Sequence, residues 1–198
     1  MEFFVYLVLI GTSVLGLTFI VERGLALRWR KVMPPEVESA VGCCHQREHL
    51  PMLRQICQQH DSAISRLLLL AADHMDWPKE ENVDALQTRA RQEITRLERG
   101  LVVLEIIVGI APLLGLVGTI AGMMTLFGGI GQEGLTDASR LAKGIATILN
   151  ATLGGLLIAI PSLIFWSYYS KKVETIAVEM ETICDEFLRR LYRKEANK

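Results

Sequence analysis

Two uncharged runs, residues 106–132 and 144–170, constrain this chain more than anything else in it. Each exceeds the roughly 20 residues that a helix needs to cross a hydrocarbon core. From Ala111 to Pro161 the sequence reads APLLGLVGTIAGMMTLFGGIGQEGLTDASRLAKGIATILNATLGGLLIAIP. Both runs are dense in Gly, Ala and Thr, which let helix backbones approach closely and place hydroxyls inside a bundle. Helices of that composition are built to pack against protein rather than to stand alone in lipid.

Composition agrees. With 51% hydrophobic residues the chain is too apolar for a soluble domain, and with 22% charged residues it is too polar to be membrane throughout. The fold class expected is an all-α membrane protein, with three transmembrane helices and long helical cytoplasmic extensions. Phe3–Val21 is the third uncharged run. Glu2 precedes it, while Arg23, Arg28, Arg30 and Lys31 follow. That is the reverse of a secretory signal peptide and favours a retained helix with its N-terminus outside and its basic end in the cytoplasm. The expected division is helix one over 1–22, a cytoplasmic helical domain over 23–100 and helix two over 101–130. A periplasmic loop over 131–143, helix three over 144–170 and a C-terminal cytoplasmic helix over 171–198 complete it. Arg89, Arg91, Arg96 and Arg99 before the second span, and Lys171 and Lys172 after the third, agree with that orientation. The loop between, with Glu133, Asp137, Arg140 and Lys143, carries no net charge.

In the polar part, Pro34–Pro35 ends the first helix because neither can donate to a helical ladder. Short helices are expected over 37–46 and 52–60 around Pro51. Residues 62–77 present Ile64, Leu67, Leu68 and Ala71 on one broad apolar face. Leu86, Ala90, Ile94, Leu97 and Leu101 recur at helical spacing. Only Gly100 separates that helix from the second span, so one unbroken helix is expected. Val173, Ile176, Ala177, Met180, Phe187 and Leu191 share a side of the C-terminal stretch, which is expected to continue the third span.

The second span holds Gly115, Gly118 and Gly122 around Thr119, with Pro112 before them. The third holds Thr147, Ala151, Gly155 and Ala159 at four-residue spacing, with Asn150 and Thr152 on neighbouring faces and Pro161 beyond. The glycines and alanines are candidates for close helix packing, and the two prolines for kinks. The hydroxyls can bond back to the preceding turn, which is the structural reading, or line a polar pathway. Asn150 favours the second, because its amide is costly to leave unpaired in lipid. Neither span has an interior titratable group, so a proton relay would need a carboxylate from another chain. Glu105, at the cytoplasmic start of the second span, is a candidate charge at the mouth or an interfacial residue.

Elsewhere the chemistry is sparse. Cys43, Cys44, His45 and His49 cluster in sequence without a second spaced pair, so no metal site is expected. The other cysteines, Cys57 and Cys184, form no CxxC pair, and His60 and His74 read as solvent-facing. No phosphate-binding loop or GxSxG motif suggests an enzyme, and a net charge of −1 does not suggest nucleic acid.

The stretches APLLGLVGTIAGMM and GIATILNATLGGLLIAIP, with VERGLALRWRKV after the first span, resemble the MotA/TolQ/ExbB proton channel family. The three spans are similar to its ExbB/TolQ branch rather than to four-span MotA stators. The resemblance implies a pentamer in the bacterial inner membrane, whose second and third spans surround the helices of an ExbD or TolR partner dimer. That partner supplies the protonatable Asp, and ion passage moves it to drive a periplasmic protein such as TonB or TolA. The family's two pore threonines fall on Thr119 and Thr152. One departure stands out: a Glu common five residues before the second threonine is here Thr147, and Asn150 replaces an apolar residue. Protons are the expected ion and no cofactor is implied. Rings of neutral oxygens make Na⁺ the alternative, and a non-conducting membrane scaffold is the alternative of a different class.

Overall fold

A computed structural model describes residues 2–44, 46–133 and 138–195, and every regular element among them is helical. In order these are α1 (Glu2–Ala26), α2 (Trp29–Val32), α3 (Pro35–Cys43), a 3-10 turn (Arg47–His49), α4 (Leu50–Gln59), α5 (Ala63–Asp73), α6 (Lys79–Glu98), α7 (Leu101–Glu133) and α8 (Ala138–Glu195). Three helices are long and apolar enough to cross a membrane. Contacts divide the chain into two compact units, residues 1–23 with 100–168, and residues 24–99 with 169–198.

The first unit holds α1, α7 and the N-terminal half of α8. Their large apolar side chains point outward: Phe4, Ile10, Leu113, Met124 and Leu157 are all 60% exposed or more. Small residues point inward, as the bilayer requires when the surroundings are as apolar as leucine. Ala111 and Ala159 meet in one buried cluster with Ile107. At Gly16 of α1 an added Cβ would lie 3.4 Å from the buried Ser162 hydroxyl and 3.7 Å from Ile107. Ser162 satisfies itself by donating to the Ile158 carbonyl at 2.8 Å.

The second unit is a small helical domain. Ile64, Leu67, Leu68 and Ala71 of α5 are at most 2% exposed, so the apolar face expected there is its core. From α8 they meet Ile176, Met180, Phe187 and Leu188. The Ser62 hydroxyl caps α5 by accepting from the Ser65 N–H at 3.2 Å. Asn82 is fully buried and donates to the Ala71 carbonyl and the Tyr192 hydroxyl, both at 3.1 Å.

Three expectations need adjustment. The helix through Gly100 is broken, since α6 stops at Glu98 and α7 starts at Leu101. Glycine weakens a helix by about 1 kcal/mol relative to alanine. Here a Cβ would also fall on the Arg23 side chain, so that space is taken. His74 is not simply solvent-facing: its ring stacks on Trp77 at 3.8 Å. The third concerns the loop: α7 continues to Glu133 and α8 begins at Ala138. Only residues 134–137 of it, including Asp137, are left, and they lie outside the described residues, as does His45.

Candidate functional site

Close approach of α7 and α8 creates the site. A Cβ on Gly155 would lie 2.5 Å from the Ala111 carbonyl oxygen, and one on Gly115 would lie 2.9 Å from that of Ala151. Gly118 and Gly122 are as tight, with added Cβ atoms 2.8 Å from Ala151 Cβ and 2.6 Å from Ile148 Cγ1. Glycine is therefore required at positions 115 and 155, where a Cβ would fall on the facing backbone, while at Gly118 and Gly122 the atoms it would meet belong to side chains. Pro112 and Pro161 both sit inside continuous helices, where each removes one backbone donor.

At the centre of that contact Thr119 and Thr152, both half-buried, bring their hydroxyl oxygens together. Thr119 Oγ1 donates to the Gly115 carbonyl at 3.1 Å, the back-bond expected of a helical threonine. Thr152 Oγ1 instead reaches across the helix pair to that same carbonyl, at 3.2 Å. Two hydroxyl protons thus serve three oxygen–oxygen contacts. The cluster therefore holds more acceptor lone pairs than protons to fill them.

The other candidates lie elsewhere. Thr147 borders a small crevice with Val5 and Tyr6 of α1 and with Gly118 and Gly122 of α7, of about 10 Å³. That is space for roughly one water. Asn150 is exposed. Two residues along an α-helix turn by about 200°, so Asn150 sits on the opposite flank of α8 from Thr152. Glu105 is exposed on α7 and stands 14 residues before Thr119, about 21 Å along the helix. Of the polar residues singled out in the sequence, only Thr119 and Thr152 are brought together.

Away from the spans, Cys43 and His49 are exposed while Cys44 is buried, which pushes its thiol up. Among the described residues no group of three or more His, Cys, Asp or Glu is placed to hold a metal. Sequence reasoning missed Glu93, a carboxylate only 1% exposed. Arg66 of α5 donates to it at 2.7 and 3.1 Å, Arg96 at 3.0 Å, and Arg89 lies at 3.2 Å. The only signal for it was a lone Glu on the apolar side of α6.

The family described as the MotA/TolQ/ExbB proton channel family matches residues 57–182. The chain is similar to ExbB-like protein 1 of Synechocystis, at 31% identity over 77% of this chain and 61% of that one. It is 32% identical to the biopolymer transport protein ExbB of Aquifex aeolicus, over 52% of this chain and 70% of the relative. Against the Tol-Pal system protein TolQ of Pseudomonas aeruginosa it is 34% identical, over 56% and 48%. The chain thus spans about half to two thirds of the length of these curated relatives.

Proposed function

This chain belongs to the MotA/TolQ/ExbB proton channel family, and on that premise we propose that it is an ExbB/TolQ-like subunit of an ion-driven motor in the bacterial inner membrane. Its copies form a pentameric ring around an ExbD/TolR-like single-span partner, with the N-terminus periplasmic and most of the polar part cytoplasmic. The partner brings the intramembrane Asp that these spans lack. The work is passed to a TonB- or TolA-like periplasmic protein.

The observation that carries this reading is the Thr119–Thr152–Gly115 oxygen cluster in spans without interior charge. Its chemistry suits a carboxyl group in either state. An ionised Asp accepts a hydrogen bond from whichever hydroxyl turns toward it. A protonated Asp donates into the surplus acceptors and, being neutral, moves on past the apolar wall. One charge crossing the membrane releases about 2.3 kcal/mol per 100 mV, enough to bias such a cycle.

The sodium alternative draws on Thr147 and Asn150, but a hard cation needs several oxygens at once. Neither residue is beside the Thr pair, which favours protons. Ion flux into proteoliposomes holding this protein and its partner decides between them. Flux that follows a pH gradient and vanishes when the partner's Asp becomes Asn is expected. A strict sodium requirement would replace the ion, and silence under both gradients would leave the scaffold reading.

A further inference from the structure

We infer that Glu105 is a proton-relay residue at the cytoplasmic end of α7: it takes up the proton given up by the partner's Asp and passes it to cytoplasmic water. In sequence it is the only charged residue of the span Leu101–Gly128. It lies four residues inside that span, about 6 Å along the helix. Its side chain is exposed, and no ion pair reaches it among the described residues. A carboxylate left facing lipid is costly, so ionisable groups in spanning helices turn toward water or protein and mark ion routes.

Glu105 occupies the side of α7 that carries Thr119. Fourteen residues at about 100° each bring the helix back to within about 40° of where it started. The line packed against α8, with Ala111, Gly115 and Gly122, lies about 80–120° away. Two backbone features of the same stretch are polar. Pro112 has no N–H, so the Val108 carbonyl, one turn on from Glu105, lacks its helical donor. At Gly109 no side chain covers the backbone, and nothing lies within 4 Å of the position its Cβ would take. Hydrogen-bonding groups therefore continue from Glu105 for a turn toward the threonines. About 10 Å of helix then remains before the Gly115 carbonyl that Thr119 and Thr152 share.

This step rests on the proposed function, which supplies both the partner's Asp and the cytoplasmic placement of the start of α7. The Asp, protonated while it passes the Thr pair, gives its proton to water on the partner-facing side, and the Glu105 carboxylate takes it up. Glu105 then returns the proton to cytoplasmic water and is ionised again. Each group ends the turnover as it began, and one proton has crossed. A carboxyl group suits this task because it both accepts and donates a proton. When ionised it also favours cations at the mouth, as acidic rings do in cation channels.

The test uses the full-length chain with its partner in proteoliposomes under a pH gradient. Glu105→Gln should cut proton flux about tenfold or more, as loss of a positioned acid–base group does, and Glu105→Asp should keep most of it. A membrane-impermeant acid, 2-(N-morpholino)ethanesulfonate, on the side where α7 starts should restore flux to Glu105→Gln but not to Thr119→Val. A soluble acid can replace a carboxyl that exchanges protons with water, whereas it cannot replace a hydroxyl that holds the Asp. A second readout needs no flux: Glu105→Cys and Ile106→Cys, in separate chains of the complex, are treated with a charged methanethiosulfonate and labelling at each position is read by mass spectrometry. Position 105 should react about tenfold faster or more than its neighbour, which points about 100° away, because the thiolate that reacts forms only in water. Wild-type flux from Glu105→Gln, a loss that neither Glu105→Asp nor the soluble acid reverses, or equal labelling at the two positions overturns the inference. If wild type conducts and only the Glu105 variants fail to behave as expected, the inference falls alone. If wild type conducts nothing under the pH gradient, the proposed function fails and takes the inference with it.

Discussion

Thr119 and Thr152, 33 residues apart in sequence, bring their hydroxyl oxygens into contact between α7 and α8, and both lean on the Gly115 carbonyl. A threonine that only satisfied itself would bond back within its own helix. Thr152 does not, and its bond ties the two spans together.

Thr119→Val and Thr152→Val keep the shape and remove the hydroxyl. Each should lower ion flux at least tenfold while leaving the complex assembled, since an interhelical bond in a membrane is worth only about 0.6–2 kcal/mol. Flux in proteoliposomes, read beside the elution profile of the complex, checks this. Full flux from both variants would remove these residues from the ion path.

Gly155→Ala should separate α7 from α8. Its Cβ would meet the Ala111 carbonyl at 2.5 Å, and a backbone atom cannot swing aside. A cost of about 1–3 kcal/mol is expected from such overpacking, with loss of the Thr contact one turn away. Gly109→Ala is the control, because nothing lies within 4 Å of its added Cβ. Thermal unfolding in detergent should drop for the first and hold for the second; equal shifts would sink the close-packing account.

Much of this was legible in the sequence, and the exceptions share one cause. Spacing assigns a residue to a side of its own helix, so the face of Ile64, Leu67, Leu68 and Ala71 was readable, and so were the small residues of α7 and α8. Spacing does not say which neighbour that side meets. Thr147, Asn150 and Thr152 looked like one polar set, yet the structure places them toward α1, outward and toward α7. The space beside Gly100 is filled by Arg23, far away in the chain. Glu93 likewise depends on Arg66, which a different helix supplies.

Glu93→Ala should be among the most damaging changes in the second unit. It would leave Arg66, Arg89 and Arg96 converging on an empty site, and breaking a buried pair costs about 3–5 kcal/mol. The partial exposure of the arginines puts the expectation at the lower end of that range. Glu186→Ala removes an exposed carboxylate paired with Arg190 one turn along, worth at most about 0.5 kcal/mol. Comparable losses from the two, measured by thermal unfolding, would contradict the buried-hub description.

Alkaline pH offers a last handle on the second unit. Burial pushes the Cys184 thiol from its ordinary 9.0 to about 12, with the charge of Glu181 adding to the shift. Burial likewise pushes Cys57 up to about 11, against a hydrogen bond from Ser65 that lowers it and with a smaller push from Cys44. A thiol is neutral when protonated, so the native state holds its proton longer than the unfolded chain does. Below pH 9 both states are protonated and the full stability is present. From pH 9 upward the unfolded chain ionises first, and stability falls by up to about 1.4 kcal/mol per pH unit for each thiol until its native value is reached. Wild type should therefore lose thermal stability steadily between pH 9 and about 11–12. Cys184→Ala removes one of those thiols, so it should decline less steeply, although it starts lower because a buried side chain has been trimmed. Tyrosine and lysine titration affects both proteins alike and cancels in the comparison. An alkaline slope identical to wild type would mean that water reaches Cys184 in the folded protein, and that the core formed by α8 against α5 is looser than its burial indicates.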